Sequence, residues 1–108
     1  MHLTNIGKNK TLITHKVPHE SGTFHTDYDV YFSYSQPMVV VDWENRKVYE
    51  NITKYSNTTT KHTKEFLRLS NRFDYDMDNK PVLIDKWQHA FVNEARINEL
   101  AASAGRGI

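Results

Sequence analysis

The chain has 108 residues, which is enough for one compact domain with its own core and too short for two. Hydrophobic residues make up 38% and aromatic residues 12%, so a disordered chain is excluded, and the lack of cysteine excludes disulfide scaffolds and thiolate chemistry. The formal net charge of +1 and the pI near 8.0 exclude a basic domain as a whole, so any nucleic-acid site has to be a local patch.

The apolar content supports neither secretion nor membrane insertion. The first seven residues lack the apolar core of a signal peptide. No run of apolar residues approaches the roughly 18 that a membrane-spanning helix needs. We therefore expect a cytoplasmic protein with no membrane partner.

The residue pattern of the first half of the chain predicts strands. Residues 11–17 are β-branched and apolar, residues 28–35 alternate between two faces, and residues 48–52 form a short strand. Residues 38–43 are almost continuously apolar, which predicts a strand covered on both faces. Pro37 has no N–H to donate, so it predicts an edge, a bulge or a turn before that strand.

The residue pattern of the second half predicts helices. The residues His62, Phe66, Leu69 and Phe73 fall at helical spacing and predict a helix over about 59–72, with Thr58 or Thr59 as its N-cap. A second helix is predicted over about 84–102, followed by a short flexible tail. It carries two apolar stripes, so we expect it to pack on the sheet and also on the first helix or on another subunit, which leaves a homodimer open. The first stripe consists of Ile84, Trp87, Phe91 and Ala95, and the second of Leu83, Ala90, Ile97 and Ala101.

These elements predict a single α+β domain over residues 1–108. Its expected core is a small three- to four-stranded antiparallel sheet over about 11–52. The two helices are expected to follow the sheet and to pack on one of its faces.

A polar cluster opens the first predicted helix. A helix start offers free N–H groups and a partial positive charge, so hydroxyls and a cation there can hold an anion such as a phosphate or a carboxylate. The alternative is that the cluster only caps the helix, and the lack of a glycine that would let a phosphate approach the backbone favours capping. The cluster consists of Ser56, Asn57, Thr58, Thr59, Thr60, Lys61 and His62.

A basic stripe follows on the same helix. Lys61, Lys64, Arg68 and Arg72 share the face opposite the predicted apolar face, so all four are expected to point outward. Such a stripe suits an acidic protein surface or a phosphate backbone, although most soluble helices also show a charged outer face.

The six tyrosines exceed what a core of this size needs, so some should be exposed. Tyrosine is favoured both in binding surfaces and in base stacking. Tyr31, Tyr34 and Tyr55 are therefore candidate contact residues.

No other pattern indicates catalysis or a cofactor. Asp74, Asp76, Asp78 and Asp85 follow calcium-loop spacing between two predicted helices, but Asn79 replaces the glycine and Pro81 disturbs the loop, so Asp85 as a helix cap is the favoured interpretation. His15, His19 and His25 lack metal-ligand spacing. His62 beside Thr58 or Ser56 lacks an orienting carboxylate. We expect no cofactor and no metal.

Three blocks of the sequence carry a resemblance. Residues 33–40 read SYSQPMVV, residues 47–49 read KVY and residues 55–62 read YSNTTTKH. Together they resemble a family of small uncharacterised proteins of bacteriophages and plasmids with the pattern SYxTPVA, a short strand, and YSxTTxKH at a helix start. Gln36 stands where that family usually has threonine.

The resemblance implies a phage accessory protein that acts in the host bacterial cytoplasm. Such proteins are commonly small binders, and inhibitors of host defence, including anti-CRISPR proteins, are among them. The leading expectation is therefore a non-enzymatic protein that binds and inhibits or redirects a bacterial host or defence protein. The alternative is a nucleic-acid binder that uses the basic stripe and tyrosines, and a third is an enzyme that uses His62.

Overall fold

In the computed structural model, which describes residues 2–18, 24–70, 73–75, 77, 81–83 and 87–105, a sheet separates two helices. The first five strands are β1 (His2–Gly7), β2 (Lys10–Pro18), β3 (Phe24–Ser33), β4 (Gln36–Asp42) and β5 (Lys47–Asn51). They are followed by α1 (Asn57–Leu69), β6 (Phe73–Tyr75), β7 (Pro81–Leu83), β8 (Gln88–Val92) and α2 (Glu94–Gly105).

The main sheet has six strands in the order β1-β2-β3-β4-β5-β8. Strands β1 to β5 form an antiparallel meander, while β8 pairs with β5 in parallel. A parallel neighbour requires a crossover, and α1 lies in that connection. The prediction of a three- to four-stranded, purely antiparallel sheet was therefore wrong, because β1 and β8 extend the meander on either side.

The central strand β4 confirms two predictions. Its residues from Pro37 to Asp42 are all buried, as expected for a strand covered on both faces. Pro37 pairs with Phe32 immediately after a break in the register with β3. The missing N–H is thus accommodated at an irregular point of the ladder.

The two helices pack on opposite faces of the sheet. Val39 and Val41 of β4 lie in one buried cluster with Phe66 of α1, whereas Val40 lies in another with Ile97 of α2. Successive strand residues point to opposite faces, so β4 supplies both clusters. The prediction that both helices pack on one face was wrong, because it left the second face of β4 without a cover.

The second predicted helix is divided differently in the structure. Residues 88–92, expected to be helical, form β8, and α2 begins only at Glu94. The apolar residues of this segment fit either spacing, and pairing with β5 decides for a strand. Helix α2 runs to Gly105, so the expected tail begins no earlier than residue 106, and residues 106–108 lie outside the described ones.

Helix α1 begins and ends earlier than predicted, and a different set of its residues faces the core. Its buried residues are Thr59, Thr63, Phe66 and Leu67, while Leu69, expected on the apolar face, is exposed. The two threonines can be buried because the Thr63 hydroxyl donates to the Thr59 carbonyl, and the Thr59 hydroxyl oxygen accepts from Ser33 and Ser56. No helix in the described parts of the chain has both the length and the apolar character needed to cross a membrane.

Candidate functional site

The first turn of α1 is capped by Ser56. Its hydroxyl oxygen accepts from the Thr59 N–H at 3.1 Å, and its carbonyl accepts from the Thr60 N–H at 3.0 Å. Ser56 has extended backbone angles, as an N-cap requires. The prediction of Thr58 or Thr59 as the cap was wrong by two or three positions.

A network of hydroxyls joins this cap to the end of β3. Ser33 Oγ donates to Thr59 Oγ1 at 3.3 Å, and Ser56 Oγ donates to the same oxygen at 3.2 Å. His62 Nδ1 lies 2.8 Å from Ser33 Oγ. The direction of this last hydrogen bond depends on the imidazole tautomer. The network connects the sequence blocks 33–40 and 55–62.

The geometry of His62 suits a structural role. Its serine partner is Ser33, not Ser56 or Thr58, and Ser33 is 1% exposed, so its hydroxyl cannot reach a substrate in this fold. The imidazole also lies between the rings of Tyr34 and Phe66, with centroid distances of 6.0 and 6.2 Å. These contacts attach α1 to the end of β3.

A second network ties the start of α1 to the start of α2. Asn51 Nδ2 donates to the Tyr55 hydroxyl at 3.3 Å, which donates to Glu94 Oε1 at 2.8 Å. Thr53 Oγ1 accepts from the Glu94 N–H at 3.0 Å. Partial burial raises the pKa of the Tyr55 phenol, and the Glu94 carboxylate acts in the same direction. Tyr55 therefore stays protonated and keeps donating at neutral pH.

A cleft of about 270 Å³ lies beside the first half of α1. Its apolar residues are Met38, Ile52 and Leu67, of which only Ile52 is exposed, and most of its neutral polar residues are threonines. The residues around it are Met38, Glu50, Asn51, Ile52, Thr53, Lys54, Tyr55, Thr59, Thr60, Thr63, Lys64 and Leu67.

The charges of the cleft are unbalanced. Among the described residues that line it, Glu50 is the one with a carboxylate, and its Oε1 lies 3.0 Å from His89 Nε2. Lys54 and Lys64 are exposed, and neither lies within salt-bridge distance of a carboxylate in the described part of the chain. Two cations beside an apolar floor and a row of hydroxyls suit an acidic ligand that also brings an apolar group.

Three of the four residues of the predicted basic stripe lie in the described part of the chain. Lys61, Lys64 and Arg68 are exposed along α1, while Arg72 lies outside the described residues. Glu65, on the same helix, pairs with Lys10 at 2.7 Å and so holds α1 against β2. Lys64 is the member of the stripe that also lines the cleft.

The other predicted contact residues divide by exposure. Ser56, Asn57, Thr58 and Thr60 are exposed at the start of α1, whereas Thr59 is buried in the hydroxyl network. Tyr31 is 3% exposed and packs on Phe66, so its prediction as a contact or base-stacking residue was wrong. Its position on β3 faces α1, while Tyr34 and Tyr55 remain at the surface.

The acidic segment with calcium-loop spacing, residues 74–85, lies in a different structural context from the one that the sequence predicted. Residues 73–75 and 81–83 pair as the antiparallel strands β6 and β7, and the next described element is the strand β8, whereas a calcium loop requires a helix directly after the pattern. Asp76, Asp78 and Asp85 lie outside the described residues, as does His19. Among the residues that the structure describes, no group of three or more histidines or carboxylates is placed to hold a metal.

Sequence reasoning missed eight of the twelve residues around the cleft. Thr53 and Lys54 belong to the segment between β5 and α1, and Thr63 lies one turn beyond the polar cluster. The available signal was the run of polar residues from 53 to 65 that continues through a strand-to-helix connection. Connections that are held by rigid elements often carry binding residues.

Comparison with known proteins gives a family and no function. No curated protein and no solved structure matches the chain. Residues 1–80, which include β1 to β6 and α1, match the model of a family of unknown function, DUF8033. The chain therefore belongs to this uncharacterised family.

Proposed function

We propose that this protein is a non-enzymatic binding protein that holds an acidic segment of another protein in the cleft beside α1. The observation that carries the proposal is the pair of exposed cations, Lys54 and Lys64, without a carboxylate partner in the described part of the chain. An acidic side chain of the partner would meet both cations, and a neighbouring apolar side chain would cover the exposed Ile52.

The resemblance to phage and plasmid proteins supplies the setting for this proposal. In that setting the partner is a protein of the bacterial host or of its defence, and binding inhibits or redirects it. The contact surface combines the cleft with the exposed residues of the α1 start, Lys61, Arg68 and the surface tyrosines Tyr34 and Tyr55.

A protein partner is favoured over nucleic acid by the make-up of the site. A nucleic-acid backbone is bound by cations and hydrogen-bond donors and has no use for apolar side chains, whereas this cleft has apolar residues beside its two cations. The burial of Tyr31 removes one of the three rings proposed for base stacking, and the Tyr55 hydroxyl is held by Glu94.

The test is capture from a bacterial lysate with two variants of equal charge change. Lys64→Glu reverses a charge in the cleft, and Lys8→Glu reverses an exposed charge in the turn between β1 and β2. We expect Lys64→Glu to lose the protein that the wild type captures and Lys8→Glu to retain it, because only the first repels an acidic segment at the site. The measurement is quantitative mass spectrometry of the captured proteins.

Nuclease treatment and salt decide between the two classes of partner. A protein partner should survive nuclease, and its affinity should fall only modestly from about 50 to 200 mM salt, whereas a nucleic acid should be lost and should show a steep salt dependence. Capture that vanishes with nuclease would replace the proposal with the nucleic-acid alternative. Equal capture by both lysine variants would remove the cleft from the interface.

A further inference from the structure

The threonine hydroxyls that α1 contributes to the cleft have already used their protons within the chain. Thr60 is exposed and lines the cleft, and its hydroxyl donates to the Ser56 carbonyl at 3.1 Å. The Thr63 hydroxyl, three residues further along, donates to the Thr59 carbonyl at 3.0 Å. Because a hydroxyl has a single proton, both oxygens are left with lone pairs and can only accept a further hydrogen bond.

The polar side chains that precede α1 are also bonded within the chain. Asn51 Nδ2 donates to the Pro37 carbonyl and to the Tyr55 hydroxyl, each at 3.3 Å. The Tyr55 hydroxyl in turn donates to Glu94 Oε1 at 2.8 Å. A ligand that enters the cleft therefore finds its strongest donors in the lysine ammonium groups and finds acceptors in the hydroxyls of α1.

A cation and an acceptor of the cleft are neighbours on α1. Lys64 and Thr60 are four residues apart, which places their side chains on one face of the helix with Cβ atoms about 5–6 Å apart. A carboxylate that binds the Lys64 ammonium group thus brings the atoms next to it within reach of Thr60 Oγ1. In a peptide those atoms include a main-chain N–H, which is an obligatory hydrogen-bond donor.

We propose that Thr60 Oγ1 accepts a main-chain N–H of the acidic segment, so that the cleft selects an acidic residue within an extended peptide over an acid without such a donor. This inference rests on the proposed function and names what the cleft recognises in its partner besides charge. Lys64 binds the carboxylate together with Lys54, which lies in the segment before α1. The segment has to be extended, because the N–H groups inside a helix are already bonded to its own carbonyls.

The test uses two small probes that carry the same carboxylate and differ in their N–H groups. One is aspartate blocked as its acetyl and methylamide derivative. The other is the ester analogue, in which oxygen replaces both amide N–H groups. Affinities are measured from the amide chemical shifts of the protein in NMR titrations. We expect the wild type to bind the amide probe about threefold to tenfold more tightly than the ester probe, the usual contribution of one hydrogen bond.

Four variants assign this preference to Thr60. Thr60→Val keeps the shape of the side chain and removes the acceptor, so both probes should bind it equally. Thr60→Ser keeps the hydroxyl and should keep the preference. Thr58→Val, the matched control, changes an exposed threonine of the same turn that is not one of the described residues around the cleft, and should also keep it. Lys64→Glu should lose both probes. Circular dichroism establishes that the variants are folded.

Three outcomes would overturn the inference. Equal affinity of the wild type for the two probes would mean that the cleft recognises no N–H. A Thr60→Val variant that weakens both probes by the same factor would mean that the hydroxyl donates to the carboxylate instead. The third outcome is a set of cleft amides that do not shift when the blocked aspartate is added.

Capture from the lysate separates these failures from a failure of the proposed function. A captured protein that is lost in Lys64→Glu, together with probes that bind alike, would remove the role of Thr60 and leave the acidic partner in place. Capture that is unaffected by Lys64→Glu would remove the cleft itself from the interface, and the inference with it.

Discussion

The start of α1 is positioned by residues that carry hydroxyl groups. Thr59 and Ser33 are both buried, and each would be costly to bury without a partner. Their hydroxyl groups are hydrogen-bonded to each other. The Ser56 hydroxyl also bonds to Thr59, and the His62 imidazole also bonds to Ser33. A hydrogen bond needs a particular distance and direction, so these contacts specify where the helix meets the sheet more strictly than apolar contacts do.

The contribution of this network can be measured at Thr59. Thr59→Val keeps the shape of the side chain but removes the oxygen that accepts from Ser33 and Ser56, so one buried donor loses its partner. We expect the free energy of unfolding to fall by about 1–2 kcal/mol, measured by urea denaturation.

Thr58→Val is the matched control for this substitution. Thr58 lies in the same turn and is exposed, so its replacement should change the stability by less than about 0.5 kcal/mol. Equal stabilities of the two valine variants would show that the hydroxyl network contributes nothing measurable.

At the scale of the element, the existence of α1 could be predicted but its rotation could not. Apolar spacing located the helix, yet Leu69 is exposed and Thr63 is buried. The burial of Thr63 depends on a hydrogen bond to the Thr59 carbonyl, and hydropathy cannot register such a bond. The outward direction of Lys64 was predicted correctly, but the cleft that it forms with residues 50–55 depends on packing.

The N-cap provides a prediction at the same scale. Ser56→Ala removes the acceptor of the Thr59 N–H and leaves a first-turn donor without its side-chain partner. We expect a loss of about 1 kcal/mol in thermal or urea unfolding, the usual effect of removing a serine cap. Ser35→Ala, at an exposed serine in the turn between β3 and β4, should leave the stability nearly unchanged. A cap at Thr58, as the sequence suggested, would make Ser56→Ala equally harmless.

Strand β8 shows why a local pattern can mislead. Its residues carry apolar side chains at positions that fit a helical stripe as well as a strand. The deciding interaction is the pairing with β5, almost forty residues earlier in the chain, and single-sequence periodicity contains no information about it. The meander from β2 to β5 was predictable because each of its pairings joins neighbours in sequence.

At the scale of the whole molecule, the sheet is the middle layer of three. The antiparallel meander alone needs cover on one face, whereas the fully apolar β4 needs it on both. The chain meets this need by placing α1 before β8 and α2 after it, one on each face. The near-continuous apolar run of β4 was thus the sequence signal for a three-layer arrangement.

Two adjacent valines test that arrangement directly. Val39 faces α1 and Val40 faces α2, and both are fully buried. Replacing either by alanine removes buried methyl groups and leaves a cavity, so each substitution should lower the free energy of unfolding by about 2 kcal/mol. Ile52→Ala, at an exposed apolar side chain, should cost well under about 1 kcal/mol in the same urea titration.

The two valine effects should also be close to additive, since the side chains lie on opposite faces and share no partner in either cluster. A sheet with both helices on one face makes a different prediction, because one of the two valines would then face solvent. A large loss for Val39→Ala together with a loss for Val40→Ala no greater than that of Ile52→Ala would exclude the three-layer fold. Equal losses require a helix on each face, which places the cleft beside α1 on the face opposite to α2.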